Sequence, residues 1–181
     1  VAQLSAFVIA IVGVVMLDRY GLELDQFHAL YGFSCIGAVG ILYSYRGTPA
    51  DDLIIAHEFA HALQIRASRG KFVAPIVREL CAFLGEGALL AHALHRDAAR
   101  HADLLAVWRA DNARYFGAQS DRLQAALLRP DAPYKYFWNY PIARHLAIQI
   151  AERCSPDWIW SLFEGEKSVR DVLRELGLSQ D

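Results

Sequence analysis

The stretch DDLIIAHEFAHALQ, residues 51–64, decides how this chain is read. Thr48 stands where a helix cap belongs, Pro49 fits a first helical position, and Asp51 and Asp52 fall near the positive end of the helix dipole. Arg66 and Arg69 lie near the far end, and Gly70 is a stop signal. The spacing therefore predicts a helix from Pro49 to about Ser68. On that helix residues i and i+4 share a face, so His57 and His61 can aim ring nitrogens at one point. Glu58 lies about 100° round from His57. It is placed to reach a water held by a metal rather than to ligate beside the histidines. This is the arrangement for a general base acting on a metal-activated water. Ile54, Ile55, Phe59, Ala60 and Ala62 around the motif are apolar or small, and in such surroundings imidazoles and a carboxylate need partners.

A catalytic zinc takes three protein ligands and keeps a further position open. The candidates for the third are Glu79, Glu86, His92, His95 and His101. A second helix is expected from Val73 or Pro75 to about His95. It carries Glu79 and Glu86 seven residues apart, nearly on one face, among Leu80, Cys81, Ala82, Phe83 and Leu84. A carboxylate in such a run is costly unless it is paired or metal-bound. Gly85 and Gly87 flank Glu86, and small residues let another helix or a metal approach closely. Glu79 follows Arg78 near the helix start, where a salt bridge or solvent can hold it. His92, His95 and His101 do not share the face of Glu86 and read as surface or supporting residues. Asp97 and Asp103 are candidates to accept from a ligand's second ring nitrogen, or ordinary helix residues.

HEFAHALQ (57–64) followed by GEGALLA (85–91) resembles the gluzincin metallopeptidases, in which an HExxH helix precedes a helix bearing an EGxA-type segment. The resemblance implies His57 and His61 as zinc ligands, Glu86 as the third ligand and Glu58 as general base. It also implies one Zn2+ per chain and a peptide or protein substrate. The implied fold is α+β, predominantly helical and zincin-like, with a small β-sheet beside the HExxH helix. In that analogy an edge strand over 38–46 (AVGILYSYR) pairs with extended substrate. The motifs cover residues 50–95 well and 133–176 loosely, and leave 1–35 uncovered. In the looser part, PYKYFWNYPIARHLAIQIAERCSPDWIWSLF, Tyr140 is the candidate for stabilising an oxyanion, with Tyr136 and His145 beside it. Pro141 departs from the pattern there. The alternative for the tyrosines is an aromatic cluster packed over the active helix.

The rest of the chain sets bounds. With 181 residues, 55% of them hydrophobic, it suits one domain with a substantial core. A formal net charge of −2, with Lys and Arg scattered, argues against nucleic-acid binding. Cys35, Cys81 and Cys154 make no CxxC pair and read as buried free thiols. Residues 1–48 read as an apolar segment with edge strands, part of one domain with a helical catalytic region over 49–181. The run LSAFVIAIVGVVML (4–17) is shorter than the roughly 20 residues a membrane span needs. It reads as a core element, a membrane anchor or a signal remnant. Further helices are expected over roughly 97–116, 120–130 and 141–153, then after Ser155 and after Ser168, each Ser acting as a cap. Trp108, Trp158 and Trp160 read as core or interface residues. Two other functions stay open at this level. One is a zincin-fold metal-binding protein without peptidase activity; the other is a helical interaction or membrane-associated protein with a chance HExxH. Compartment and oligomeric state are not readable from the residues.

Overall fold

The structure is a computed structural model that describes residues 35–37, 40–42, 45–129 and 131–178. The apolar run over 4–17 lies outside the described residues, and no helix among them is long and apolar enough to cross a membrane.

The fold is all-α, not the α+β arrangement expected from the resemblance. The only strand pairing among the described residues is a hairpin of three-residue strands, β1 (Cys35–Gly37) and β2 (Gly40–Leu42). Strands so short form no layer of the core. Of the edge strand expected over 38–46, Gly40–Leu42 is extended and paired, and residues 38, 39, 43 and 44 lie outside the described residues. β-Branched residues and glycines in that stretch favour extended chain, but among the described residues they pair only as this hairpin, which lies against the helix over Pro49–Ala67, while helices supply most of the core.

Seven α-helices follow among the described residues. They are α1 (Pro49–Ala67), α2 (Pro75–Arg96), α3 (Ala98–Arg114), α4 (Ser120–Leu127), α5 (Asn139–Arg153), α6 (Pro156–Phe163) and α7 (Val169–Glu175). A π-helical turn, Tyr115–Gln119, joins α3 to α4. A 3-10 turn, Tyr136–Trp138, leads into α5.

The start of α1 is fixed as its sequence requires. Thr48 Oγ1 accepts from the Asp51 backbone N–H at 3.2 Å, and the Asp51 carboxylate accepts from Thr48 N–H at 2.9 Å. This is a reciprocal capping box. Asp52 pairs with Arg100 and accepts from the Tyr45 hydroxyl, which ties the start of α3 to the start of α1. At the other end Ser68 closes the helix, and Arg69 and Gly70 both turn with positive φ.

Helix α2 is the centre of the molecule and packs against α1, α3, α5 and α6. Its residues Leu80 to Leu84 are buried without interruption, as a helix covered on several sides must be. The main core joins Ala60 of α1 with Val77, Leu80, Cys81 and Leu84 of α2, Leu146 and Ile150 of α5, Leu162 of α6 and Val172 of α7. A smaller cluster of Leu53, Leu90, Ala93 and Leu104 closes the α1–α2–α3 corner. Where α1 and α2 cross, Gly85 is the contact point. A Cβ there would stand 2.5 Å from Ala60 Cβ and 3.0 Å from the Ala56 carbonyl oxygen. That close approach brings the α1 histidines onto the α2 carboxylates.

Candidate metal centre

His57 and His61 project from α1 toward α2, one turn apart. Glu79 stands between them. His57 Nε2 is 3.3 Å from Glu79 Oε2, and His61 Nε2 is 3.6 Å from Glu79 Oε1. One donor atom from each of the three residues falls within 4.8 Å of the others, so His57, His61 and Glu79 form a cluster that could hold a metal ion. The two imidazoles remain about 15% exposed, while Glu79 is buried.

Glu79 carries the sharper sign. Its Oε1 accepts from the Tyr136 hydroxyl at 2.6 Å. Its Oε2 is buried with no hydrogen-bond partner among the described residues, because His57 Nε2 is near but out of hydrogen-bond geometry. The His57 imidazole offsets its charge from 3.3 Å, but a buried carboxylate oxygen that makes no hydrogen bond is still costly. One such oxygen converging with two imidazole nitrogens is a donor set that fits a divalent metal.

Glu86 is not beside Glu79 at this point. Its Oε1 lies 2.8 Å from His57 Nδ1, the ring nitrogen that faces away from the cluster. Its Oε2 pairs with Arg144 Nη1. Two turns along α2 do place both glutamates on the α1 side, as the spacing implied. They meet opposite edges of one imidazole, however, and Glu79 is the one that faces His61 as well. Glu86 stands where a carboxylate can orient a histidine ring through its second nitrogen.

The charges are strongly coupled. Burial disfavours the His57 cation, but the carboxylates of Glu79 and Glu86 against its two nitrogens outweigh this and raise its pKa to about 9. Burial likewise opposes ionisation of Glu79, yet the two imidazoles and the Tyr136 hydroxyl lower its pKa to about 2. Burial and the donation to Glu79 push the Tyr136 phenol upward. Tyr140 is raised to about 12 by burial and by the charges of Glu79 and Glu58, which places its phenol within electrostatic reach of both. Glu58 itself is half-buried on α1 next to His57.

The other candidates are elsewhere. His92 and His95 are exposed, and His101 is half-buried on α3. His145 is exposed and contacts Gln149 and the Phe116 ring. Asp97 caps α3 by accepting from Arg100 N–H, and Asp103 is exposed, so neither serves a ligand. The aromatic residues do form a cluster over the site. His57, Phe83, Tyr115, Tyr140 and Tyr136 meet edge to face or tilted, with centroids 5.0–6.3 Å apart. Asn139 fixes the approach to this cluster by donating to the Tyr136 carbonyl at 2.8 Å and to the Tyr134 hydroxyl. Cys81 and Cys154 are free thiols, and burial pushes Cys81 up to about 12, far from reactive.

No family model, curated protein or solved structure matches the chain.

Sequence reasoning missed Arg144. Its side chain is 1% exposed. It pairs with Glu86, donates from Nε to Asn112 Oδ1 at 2.6 Å and lies over the rings of Trp108 and Phe83 at 4.5 and 4.8 Å. The signal was present: in IARHLAIQI an arginine sits in the apolar stripe of a helix. Like the two glutamates, a charge in such a stripe needs a partner.

Proposed function

We propose that this protein is a zinc-dependent metallopeptidase of gluzincin type, with His57, His61 and Glu79 as ligands and Glu58 as general base. The observation that carries the reading is the convergence of the buried Glu79 carboxylate, whose Oε2 makes no hydrogen bond among the described residues, with the imidazoles of an HExxH helix. Structural zinc sites are closed by four protein ligands, whereas three ligands with a carboxylate adjacent suit catalysis. When bound, zinc supplies Lewis acidity and brings a coordinated water to a pKa near 7. Glu58 accepts the proton from the attacking water and passes it to the leaving amine. Tyr140, held as a neutral phenol by burial and by Glu79, keeps a proton to donate to the developing oxyanion. Tyr136 is already committed to Glu79 and holds the ligand carboxylate in place. Glu86 holds His57 through Nδ1. The peptide as substrate class comes from the resemblance of HEFAHALQ to the gluzincins, from which this chain departs in that Glu79, not the glutamate of the EGxA segment, joins the two histidines.

The test is metal content by elemental mass spectrometry on protein purified without a histidine tag. About one zinc per chain is expected in the wild type, lost in His61→Ala and in Glu79→Gln. Glu58→Gln should retain zinc and cleave a peptide library at least about 100-fold more slowly. A wild-type protein that takes up no zinc after zinc is added back would overturn the reading.

A further inference from the structure

Two glutamates on one helix flank one histidine, and something must decide which of them serves a metal. Their immediate partners differ. Glu79 is held by a neutral phenol at Oε1 and has no hydrogen-bond partner at Oε2. Glu86 has both oxygens engaged, one by His57 Nδ1 and one by the Arg144 guanidinium. Arg144 itself has almost no freedom. Besides Glu86 it donates to Asn112 Oδ1 at 2.6 Å and to the Trp108 carbonyl at 3.4 Å. Its plane lies against Trp108, Phe83 and Tyr115, with centroid distances of 4.5, 4.8 and 5.7 Å. Asn112, Trp108 and Tyr115 all come from α3 and the π-helical turn that follows it, so that region forms a socket for the guanidinium.

We propose that Arg144 is a positioning residue that assigns the two carboxylates their roles, fixing Glu86 on His57 Nδ1 and leaving Glu79 to ligate. The inference rests on the metal-site reading above. Arginine stays charged at any accessible pH. For Glu86 to swing toward the Nε2 side of His57, it would leave a buried guanidinium without a counter-charge, which is strongly unfavourable. Glu79 faces no such penalty. With Glu86 immobile, the Nδ1–H of His57 has one acceptor, and the ring presents the lone pair of Nε2 to the cluster. Arg144 touches neither the metal nor the substrate in this scheme and acts wholly through Glu86.

The test is a binding cycle on the full chain. Zn2+ affinity is measured by competition with a chromophoric chelator, and the ligand field by the visible absorption of the Co2+ form. The variants are Arg144→Met, Arg144→Lys, Glu86→Gln and Arg144→Met/Glu86→Gln, with far-UV circular dichroism confirming the fold. Arg144→Met and Glu86→Gln should each weaken Zn2+ binding about 10- to 100-fold, the usual effect of losing a partner that orients a ligand. Arg144→Met should also alter the Co2+ spectrum, and Arg144→Lys should recover part of the affinity. The double variant should bind no more weakly than Glu86→Gln alone. If Arg144→Met does not fold, the double variant, which buries neither charge, still gives that comparison. Wild-type affinity and spectrum in Arg144→Met would overturn the inference, as would a double variant about 10-fold or more weaker than Glu86→Gln. A wild-type protein that binds neither metal would overturn the metal reading and this inference together, whereas unaffected Arg144 variants of a metal-binding wild type would overturn the inference alone.

Discussion

Helix α2 has two buried seams, and they are built on opposite principles. Toward α5, α6 and α7 it is dry: Val77, Leu80, Cys81 and Leu84 pack on Leu146, Ile150, Leu162 and Val172. Toward α1 and the guanidinium of Arg144 it is charged, with Glu79 and Glu86 set against His57 and His61. The dry seam gains from every apolar atom removed from water. The charged seam must first repay the desolvation of each ion, and such pairs contribute little net stability even when well formed. The dry seam therefore supplies most of the cohesion, while the charged one adds little net stability and gathers the groups that could hold a metal.

Truncation of the dry seam should give the largest loss of stability. Leu80 is 1% exposed, and Leu80→Ala should cost about 2–5 kcal/mol in denaturant unfolding. Metal stoichiometry of the folded fraction should stay at the wild-type value. A loss of metal in that fraction would show that the two seams are not separable.

Gly85 lies at the crossing of α1 and α2, beside the charged seam. In Gly85→Ala the new Cβ would meet Ala60 Cβ and the Ala56 carbonyl, neither of which can swing aside. Overpacking of this kind costs about 1–3 kcal/mol. Alanine returns up to about 1 kcal/mol in helix propensity. A net loss of about 1 kcal/mol is expected in thermal unfolding, together with weaker metal binding as α1 is pushed off α2. A stabilised variant would mean the helices slide apart freely, and the site would not depend on their close approach.

The smallest effect should separate the seams by pH. In the metal-free protein the folded pKa of His57 is raised from 6.5 to about 9, so its contribution is complete below about 6.5 and fades as pH rises to 9. That of Glu79 is lowered from 4.5 to about 2, so its contribution is complete above about 4.5 and fades as pH falls to 2. Metal-free protein should therefore get the most from this seam between about pH 4.5 and 6.5. The two shifts describe largely the same contacts and are not to be added. Leu80→Ala should lower the whole stability–pH curve without changing its shape, whereas Glu79→Gln should flatten it. A curve left unchanged in shape by Glu79→Gln would show that the carboxylate is not coupled to His57 in solution.

The local signals carried far along the chain. The Thr48 cap, Pro49 at the first turn, and the Ser155 and Ser168 caps each stand in the structure as their sequence context implied. Capping is written in a few adjacent residues, so it is readable without the fold. The HExxH pair and its shared helix face were readable for the same reason. Both glutamates were recognisable as costly charges in an apolar helix. The small sheet was not legible in this way, because strand propensity over 38–46 is a local signal and whether a strand finds partners depends on the rest of the fold.

The sequence by itself determined that His57 and His61 share a face, that Glu58 lies to one side of it, and that α2 carries two carboxylates that need partners. Helical periodicity and the cost of burying a charge suffice for that. Only the tertiary structure decided the partners. The Gly85 crossing sets the register between α1 and α2, and that register puts Glu79 between two imidazoles and Glu86 behind one of them. Arg144 arrives from α5, 58 residues beyond Glu86 in the chain. Spacing along one helix fixes which residues can face the same way, but which atom meets which depends on the offset and rotation of the helix opposite, and those are set by packing across the whole core.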